Sequence, residues 1–412
     1  MKREGRSNPF STGELLTQIS REAGSIRLHS PKQSLYHDRL ANNGMMMMNS
    51  FFFLVTSFLP LHASSLSSSN YDMRIASLHR YAVKGLSGDS IESVKLEEGD
   101  GTFQDDRRFA LLYAGNDNDF DQNNPQWLHK DNFLCAFTAP ELLATLRTEY
   151  QVLDDDRRML TVWNRHGNND KQSSSTPLLV ADLGCAAGRD ETSVFFSELC
   201  GKKVVCVCAS NDATPSTSQN VNHDDVTSES CNSKLSRKHT HQFGNTSSGV
   251  KNNNGDTRTI HIVNSNTVKQ FSNAIQHHLE QQYKEGVGGR DNIIDSIQPT
   301  RFRPNVVVDG LEPWLEFDLI GKTIEVVPNQ SNDDEGDHTK STPLRFRITS
   351  RTVRCAGIGV DPLQPELGII DVPKLLTKHY PQHGPYLGVY AVVEGYSGGN
   401  ICVGDTFRVV DE

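Results

Sequence analysis

Short apolar runs separated by frequent turns restrict the fold of this chain more than any other feature of its sequence. Residues 90–96 alternate apolar and polar side chains with a period of two, as a half-buried strand does. Residues 108–113 and 159–163 are apolar runs of strand length, and a further strand is expected from Met73. Pro140 opens a short predicted helix. This pattern favours a mainly β (α+β) fold built from barrel-like units.

Two polar segments interrupt the apolar runs and set the expected domain organisation. Residues 209–258 and 328–342 are rich in Ser, Asn, Asp and Thr, and they lower the apolar fraction of the chain to 36%. Such segments bury too little apolar surface to offset their ordering entropy, so both are predicted to be disordered inserts. We therefore predict one domain over residues 71–208 and a second over residues 259–412.

Residues 1–70 are interpreted as a targeting leader, disordered or cleaved, rather than as part of the fold. The first 44 residues are basic, and an apolar run over residues 51–61 has the length of a signal-peptide core. Translation from the methionine run at 45–48 predicts the secretory route, whereas translation from Met1 predicts an organellar presequence (mitochondrion or plastid) with a weak membrane anchor. We expect membrane association only through this apolar run.

The charge and the cysteines of the chain exclude several classes of function. A formal net charge of -10 argues against nucleic acid as the partner, because phosphate backbones require a basic surface. The 8 cysteines contain no CxxC pair, so neither a zinc ribbon nor a thioredoxin-like site is indicated. Their uneven spacing over a long chain favours free thiols in a reducing compartment.

The segment Arg301-Phe-Arg-Pro-Asn305 is a candidate anion-binding element. In a strand, Arg301 and Arg303 share one face, and Pro304 places that strand at an edge or a bulge. Two guanidinium groups beside Asn305 suit a phosphate or the edge of a pterin. The alternative interpretation is a solvated arginine pair on an edge strand.

Cys355 is the candidate for a reactive or metal-binding thiol. It follows Arg354 directly and is followed by Gly357 and Gly359. A neighbouring cation favours the thiolate, which is the form that binds soft metals or carries sulfur. Glycines beside the thiol let a bulky ligand approach. Taken alone, a buried inert cysteine is the competing interpretation.

Together these segments resemble the MOSC family, named after the C-terminal domain of molybdenum cofactor sulfurase. The resemblance rests on motifs in family order, namely Tyr81-Ala-Val-Lys-Gly-Leu86, Asp106-Arg-Arg-Phe109, Arg301-Phe-Arg-Pro-Asn305, Asp309-Gly-Leu-Glu-Pro-Trp314, Arg354-Cys355 with Val360-Asp-Pro362, and Leu387-Gly-Val-Tyr-Ala391 with Val403-Gly-Asp405. It covers most of residues 73–208 and 259–412. The implied fold is a MOSC β-barrel preceded by a smaller β-barrel-like N-terminal domain.

The resemblance to amidoxime-reducing members of the family implies roles for individual residues. Cys355 matches the position that coordinates molybdenum and is the implied catalytic residue. The residues implied to bind the molybdenum cofactor (Mo-molybdopterin) are Lys84, Arg107, Asn264, Thr267, Arg303, Asn305 and Arg354. Two departures from those members stand out: Gly85 replaces a serine, and Ala-Gly-Ile-Gly at 356–359 replaces threonines near the metal.

Two functions follow from the resemblance. The first is an oxidoreductase that reduces N-hydroxylated small molecules at a Cys355-bound molybdenum, with electrons from a cytochrome b5-type or ferredoxin-type protein. The second is a sulfur carrier or cofactor-storage module that uses a Cys355 persulfide. Pyridoxal phosphate binding is associated with the family only through the context of the domain.

Three competing signals are given structural interpretations. Residues 179–189 resemble the first glycine turn of a Rossmann-type methyltransferase, but Ala186 and Ala187 break the pattern. Cysteines 185, 200, 206 and 208 suggest an iron–sulfur site, yet the last two lie in an apolar run typical of buried thiols. Histidines 223, 239 and 241 lie in the polar insert and are interpreted as solvated.

Overall fold

A computed structural model describes residues 73–115, 128–165, 176–209, 235, 239, 241–243, 258–285, 297–329, 343–361, 368–394 and 398–410. The strands are β1 Met73–Arg80, β2 Asp89–Ile91, β3 Ser93–Leu96, β4 Phe109–Tyr113, β5 Leu146–Val152, β6 Arg158–Asn164, β7 Leu179–Asp182, β8 Val204–Cys208, β9 Ile260–Asn264, β10 Val306–Asp309, β11 Thr323–Val327, β12 Arg345–Val353, β13 Tyr386–Glu394, β14 Gly399–Cys402 and β15 Thr406–Val410. The α-helices are α1 Pro140–Ala144, α2 Ala186–Cys200, α3 Ser265–Glu285 and α4 Val372–His379.

Seven strands close into a β-barrel in the order β10-β9-β13-β12-β11-β15-β1, with β1 pairing back onto β10. All pairs are antiparallel except β9 and β10, which are parallel and are joined through α3. Every residue of β9 is buried, as expected for a strand covered on both faces. Phe271 and Ile275 of α3 pack on the barrel core together with Leu376 of α4. The predicted mainly β class and the barrel are confirmed.

The remaining described strands form small antiparallel sheets. β4 pairs with β8, and β5, β6 and β7 form a sheet of three. α2 runs between β7 and β8 and ends at Gly201, whose φ of 66° is a left-handed conformation that glycine adopts without strain. The strands predicted at 108–113 and 159–163 are therefore found. A closed smaller barrel and the domain boundaries at 208 and 259 remain predictions.

Strands of the region predicted as the first domain pair with strands of the region predicted as the second. β1, which the sequence places in the first domain, closes the barrel of the second by pairing with β10 and β15. β3 likewise pairs with β14. The barrel is therefore incomplete without β1, which belongs to the region predicted as the first domain.

The segment around Arg301 and Arg303 is not a strand, contrary to the prediction. Pro299–Phe302 is a 3-10 helix, Arg303 adopts a left-handed φ of 54°, and β10 begins only at Val306. Pro299 suits the first turn of a helix, and Pro304 cannot donate to a strand ladder. The two arginine side chains therefore do not share a strand face.

Four residues of the predicted insert at 209–258 are packed inside the protein. His239, His241, Gln242 and Phe243 are all buried. Gln242 donates to Thr102 and Asp106 and accepts from the backbone of Thr259, while Phe243 packs edge-on against Phe133. These hydrogen bonds replace the water that the polar side chains lose, so the expectation of a solvated segment does not hold for them. The other insert and the leader lie outside or almost outside the described residues.

Candidate functional site

A cavity of about 460 Å³ lies between the barrel and the N-terminal part of the chain. Its basic lining residues are Lys84, Arg107, Lys130, Arg303 and Arg354, and Cys355 lines it as well. No aspartate or glutamate is among the described residues that line it. Because opposite charges are needed to balance these cations, the cavity is suited to an anionic ligand.

Arg107 lines the cavity because the turn at residues 105–107 directs the side chains of the two preceding aspartates into the core. Asp105 and Arg107 have φ angles of 60° and 52°. Asp106, fully buried, accepts a hydrogen bond from the backbone N–H of Tyr81, and the N–H of Arg107 donates to the Tyr81 carbonyl. Asp105 is held by Arg108 and Arg158, at 2.8 and 3.2 Å. The turn thus places the carboxylates of Asp105 and Asp106 in the core and the guanidinium of Arg107 in the cavity.

Arg303 enters the same cavity from the barrel. Its guanidinium lies 4.3 Å above the ring of Tyr81, and its Nη1 donates to the Leu86 carbonyl at 2.7 Å. Burial lowers the pKa of Arg303 to about 10, and the nearby Arg107 acts in the same direction. The guanidinium therefore stays charged at neutral pH while its position is fixed by an aromatic face and a carbonyl.

Lys84 stands among these cations. Burial, together with the charges of Arg107 and Arg303, lowers its pKa to about 8, while the thiol of Cys135 acts in the opposite direction. An anion bound in the cavity would relieve this repulsion and raise the pKa of the ammonium group. The charged form of Lys84 is thus destabilised by its surroundings, and a bound anion would stabilise it.

Gly85 explains one departure from the family pattern. Its φ is +93°, and a Cβ on it would lie 2.6 Å from the Cα of Cys135. A serine at this position therefore requires the Cys135 segment to move. Cys135 lines the cavity beside Lys84, and its Cα and Cβ occupy the space that a side chain at 85 would need.

Arg354 is held through His261, a residue that the sequence reasoning missed. Nδ1 of His261 lies 3.1 Å from the Arg303 carbonyl, so this nitrogen carries the proton, and Nε2 faces Arg354 Nη1 at 3.4 Å. Arg354 Nη2 also donates to the Phe302 carbonyl at 2.8 Å. Burial keeps the pKa of His261 well below its usual range, so the ring is neutral. Nothing in the sequence distinguished this histidine from other strand residues.

Cys355 follows β12 and is exposed, unlike the buried Cys185, Cys206 and Cys208. Its Sγ would lie 3.5 Å from a Cβ built on Gly357, and Phe137 Cβ lies 3.6 Å from the same point. A side chain at 357 would fill the space between the thiol and Phe137. Gly357 therefore leaves the thiol accessible from the cavity, as the sequence predicted for a glycine beside it.

Arg301 supports this turn from below and does not reach the cavity. Its Nη1 donates to the carbonyls of Ile358 and Gly359, and its Nε lies 3.8 Å from Asp361. Both ionic partners are almost completely buried. Of the predicted arginine pair, one therefore holds the loop that carries Cys355, and the other faces the ligand space.

Three predicted cofactor-binding residues lie outside the lining of the cavity. Asn305 is fully buried, donates to the His79 carbonyl and accepts from the N–H of His261. Asn264 and Thr267 both donate to Oε2 of Glu316, at 3.1 and 2.8 Å. The structure thus brings together Lys84, Arg107, Arg303, Arg354 and Cys355, and places these other three in hydrogen-bond networks outside the lining of the cavity.

Glu316 provides a stability test that is independent of the cavity. Burial raises the pKa of this carboxyl to about 7, against hydrogen bonds from Asn264 and Thr267 that lower it, and its Oε1 has no partner among the described residues. The folded state therefore binds a proton that the unfolded chain releases near its ordinary pKa of 4.5. The free energy of unfolding should fall by roughly 3 kcal/mol as the pH rises between these two values, and then level off.

Glu316→Gln should remove this contribution to the pH dependence, so the variant becomes more stable than the wild type at pH 8 in urea unfolding. Glu312→Gln, at an exposed position, is the matched control and should keep the wild-type profile. An unchanged slope in Glu316→Gln would mean that the carboxyl titrates normally.

The competing signals are resolved by the pairing of the strands. β7 pairs only with β6 among the described strands, and β8 pairs with β4, both antiparallel, so the glycine turn at residues 179–189 does not belong to a parallel Rossmann sheet. Within the part of the chain that the structure describes, no three Cys, His, Asp or Glu side chains cluster as metal ligands. None of the helices in the described ranges is long and apolar enough to cross a membrane.

The model of the MOSC domain family matches residues 249–408, the part of the chain that supplies most of the barrel strands. The family is associated with binding of the molybdenum cofactor. The YuaD protein of Bacillus subtilis is similar to the chain at 19% identity and a TM-score of 0.22, over 36% of this chain and 62% of that protein, which is less than two thirds of its length. A search of curated proteins found no match.

Proposed function

We propose that the cavity binds a molybdopterin cofactor, with Cys355 as the protein ligand of molybdenum, and that the protein reduces N-hydroxylated compounds there. The observation that carries the proposal is the convergence of five basic side chains and one exposed thiol on a single cavity, part of which is formed by the residues that the MOSC family model matches. The choice of reaction rests on the resemblance of the sequence motifs to amidoxime-reducing members of the family, which is an expectation from the sequence alone.

The residues of the cavity fit such a cofactor chemically. A thiolate is a soft ligand suited to a heavy metal, and Cys355 is the exposed cysteine among those described. A phosphate and a pterin edge both accept hydrogen bonds, and guanidinium groups donate them in pairs. Arg303 and Arg107 supply such groups at the junction of the two parts of the chain, where Arg107 also donates to the Arg303 carbonyl at 3.3 Å.

In this proposal the protein binds and orients while the cofactor, when bound, supplies the two-electron redox chemistry. Arg107, Arg303 and Arg354 hold the anionic groups, and neutral His261 keeps Arg354 in place. Overall, an N–O bond is cleaved with two electrons and two protons, and water leaves. A cytochrome b5-type or ferredoxin-type protein is the proposed source of electrons.

A sulfur-carrier function is the second candidate. It is favoured by the exposure of Cys355, because a persulfide must be reached by donor and acceptor proteins. In that case the cations of the cavity would bind the acceptor. Turnover of a hydroxyamidine with an artificial reductant supports the reductase, whereas cofactor bound without turnover supports the carrier.

The test is to express the full chain in a host that makes the molybdenum cofactor and to measure pterin and molybdenum per chain. We expect near-stoichiometric amounts of both. A folded protein that contains neither would contradict the proposal of a resident cofactor. The same preparation, assayed with a hydroxyamidine and reduced viologen, separates the two candidate functions.

Arg303→Met should weaken pterin retention by roughly ten- to a hundredfold, because it removes a charged donor from the cavity at a cost of about 1.5–3 kcal/mol. Pterin remaining after gel filtration is the measurement. Arg347→Met is the matched control, since Arg347 pairs with Glu394 on β13, outside the lining of the cavity, and should leave retention unchanged. Equal retention in both variants would exclude Arg303 from the cofactor site.

A further inference from the structure

We propose that Phe137 and Lys130 form a substrate-recognition element beside Cys355, which selects flat aromatic N-hydroxylated compounds that carry a negative charge. This inference rests on the proposed function, since it names the substrate class of the same cavity. Both residues lie on the segment 128–137, which is outside the range matched by the MOSC family model. The selectivity would therefore come from the N-terminal part of this chain.

Phe137 lies near Cys355, at the end of the cavity where the proposed reaction would take place. The point where a Cβ on Gly357 would lie is 3.5 Å from Cys355 Sγ and 3.6 Å from Phe137 Cβ. Because Gly357 has no side chain, the thiol and the phenylalanine border the same open space. A substrate whose N–O group approaches the thiol end would place the rest of its body against Phe137.

Lys130 fixes a positive charge on this wall. Its Nζ lies 3.5 Å from the centroid of the Phe137 ring, which is a close cation–π contact. The ammonium group covers a face of the ring, so a ligand ring would pack against the edge of Phe137, an arrangement that aromatic pairs favour. A carboxylate on such a ligand would then reach the ammonium group.

The charges of the cavity favour an anionic substrate over a cationic one. The cations assigned to the cofactor are Lys84, Arg107, Arg303 and Arg354, and all of them except Arg107 are deeply buried. Lys130 is half-buried on a different segment and is not assigned to the cofactor, so its ammonium group is the cation proposed to bind the substrate. With no carboxylate among the described lining residues, a cationic substituent would meet only like charge.

The experiment compares three benzamidoximes that differ only in the para substituent, namely carboxylate, hydrogen and aminomethyl. The cofactor-loaded full chain is assayed with reduced methyl viologen, and each turnover takes two electrons and two protons, cleaves the N–O bond and releases water. We expect kcat/KM to be roughly tenfold higher for the carboxylate than for the neutral compound, and lowest for the cation. Lys130→Gln should abolish this ranking mainly through KM.

Lys322→Gln, a lysine outside the lining of the cavity, is the control and should keep the ranking. Phe137→Leu should weaken the aromatic substrates relative to acetamidoxime. A cofactor-loaded enzyme that reduces all three benzamidoximes equally, in the wild type and in Lys130→Gln, would overturn the inference and leave the proposed function intact.

A second measurement does not depend on turnover. Calorimetric titration with 4-carbamoylbenzoate and with benzamide, whose amide group is neutral, should show tighter binding of the carboxylate, by about tenfold, and Lys130→Gln should remove the difference. If the protein retains no cofactor, the proposed function fails, and this titration still decides the recognition element. Equal binding of both ligands would refute it.

Discussion

Replacing Cys355 with alanine should remove molybdenum from the protein and lower the reduction of hydroxyamidines at least a thousandfold, while the fold is retained. The thiol is exposed, and no hydrogen bond of its side chain is among those that hold the turn. Its loss therefore costs little stability but removes the proposed metal ligand. Molybdenum per chain, turnover and the thermal unfolding midpoint are the three measurements.

Cys185→Ser is the control for this experiment. Cys185 is buried, and its Sγ accepts from the N–H of Gly188 at the start of α2, a role that a serine hydroxyl can take over. We expect wild-type metal content and turnover. Equal loss in the two variants would contradict the assignment of Cys355, and wild-type turnover in Cys355→Ala would exclude it from the chemistry.

Asp105→Asn should destabilise the protein by about 3–5 kcal/mol, because it leaves two buried arginines without their counter-charge. Asp105 is fully buried, with Arg108 at 2.8 Å, Arg158 at 3.2 Å and the hydroxyl of Tyr150 at 2.8 Å. Burial opposes ionisation of this carboxyl, but the two guanidinium groups outweigh it and lower its pKa. Urea unfolding measures the loss, and pterin retention should fall as well since Arg107 lies two residues away.

Two comparisons separate the buried network from an ordinary ion pair. Asp155→Asn breaks an exposed pair with Arg157, whose atoms lie 2.7 Å apart, and should not change stability measurably. Tyr150→Phe removes one hydrogen bond from Asp105 and should cost about 1–2 kcal/mol. If Asp105→Asn costs no more than Tyr150→Phe, the two arginines must be neutralised by other groups.

Several strands and the Arg354–Cys355 pair were accessible to sequence reasoning because their signals are local. Alternation of apolar residues predicts a strand wherever the burial pattern has a period of two, and Arg354 adjoins Cys355 in any fold. Asn305, Asn264 and Thr267 were named by family resemblance. The structure places Asn305 against His261, and Asn264 and Thr267 in a separate hydrogen-bond network around Glu316, outside the lining of the cavity. His261 and Phe137 were missed, because no local pattern marks a residue whose role depends on distant neighbours.

The sequence by itself determined the strands that begin at Met73 and lie near residues 90–96, 108–113 and 159–163, the polar character of the inserts, and the Arg354–Cys355 pair with its flanking glycines. Tertiary structure alone decided that β1 closes the barrel and that Lys84 and Arg107 line the same cavity as Cys355, although they are far from it in sequence. It also decided that Arg301 binds the loop that carries Cys355 while Arg303 lines the cavity. The physical reason is that periodicity reports only which side of an element is buried. Left-handed backbone at Arg107 and Arg303 redirects their side chains, and the closure of the ring of strands brings them together.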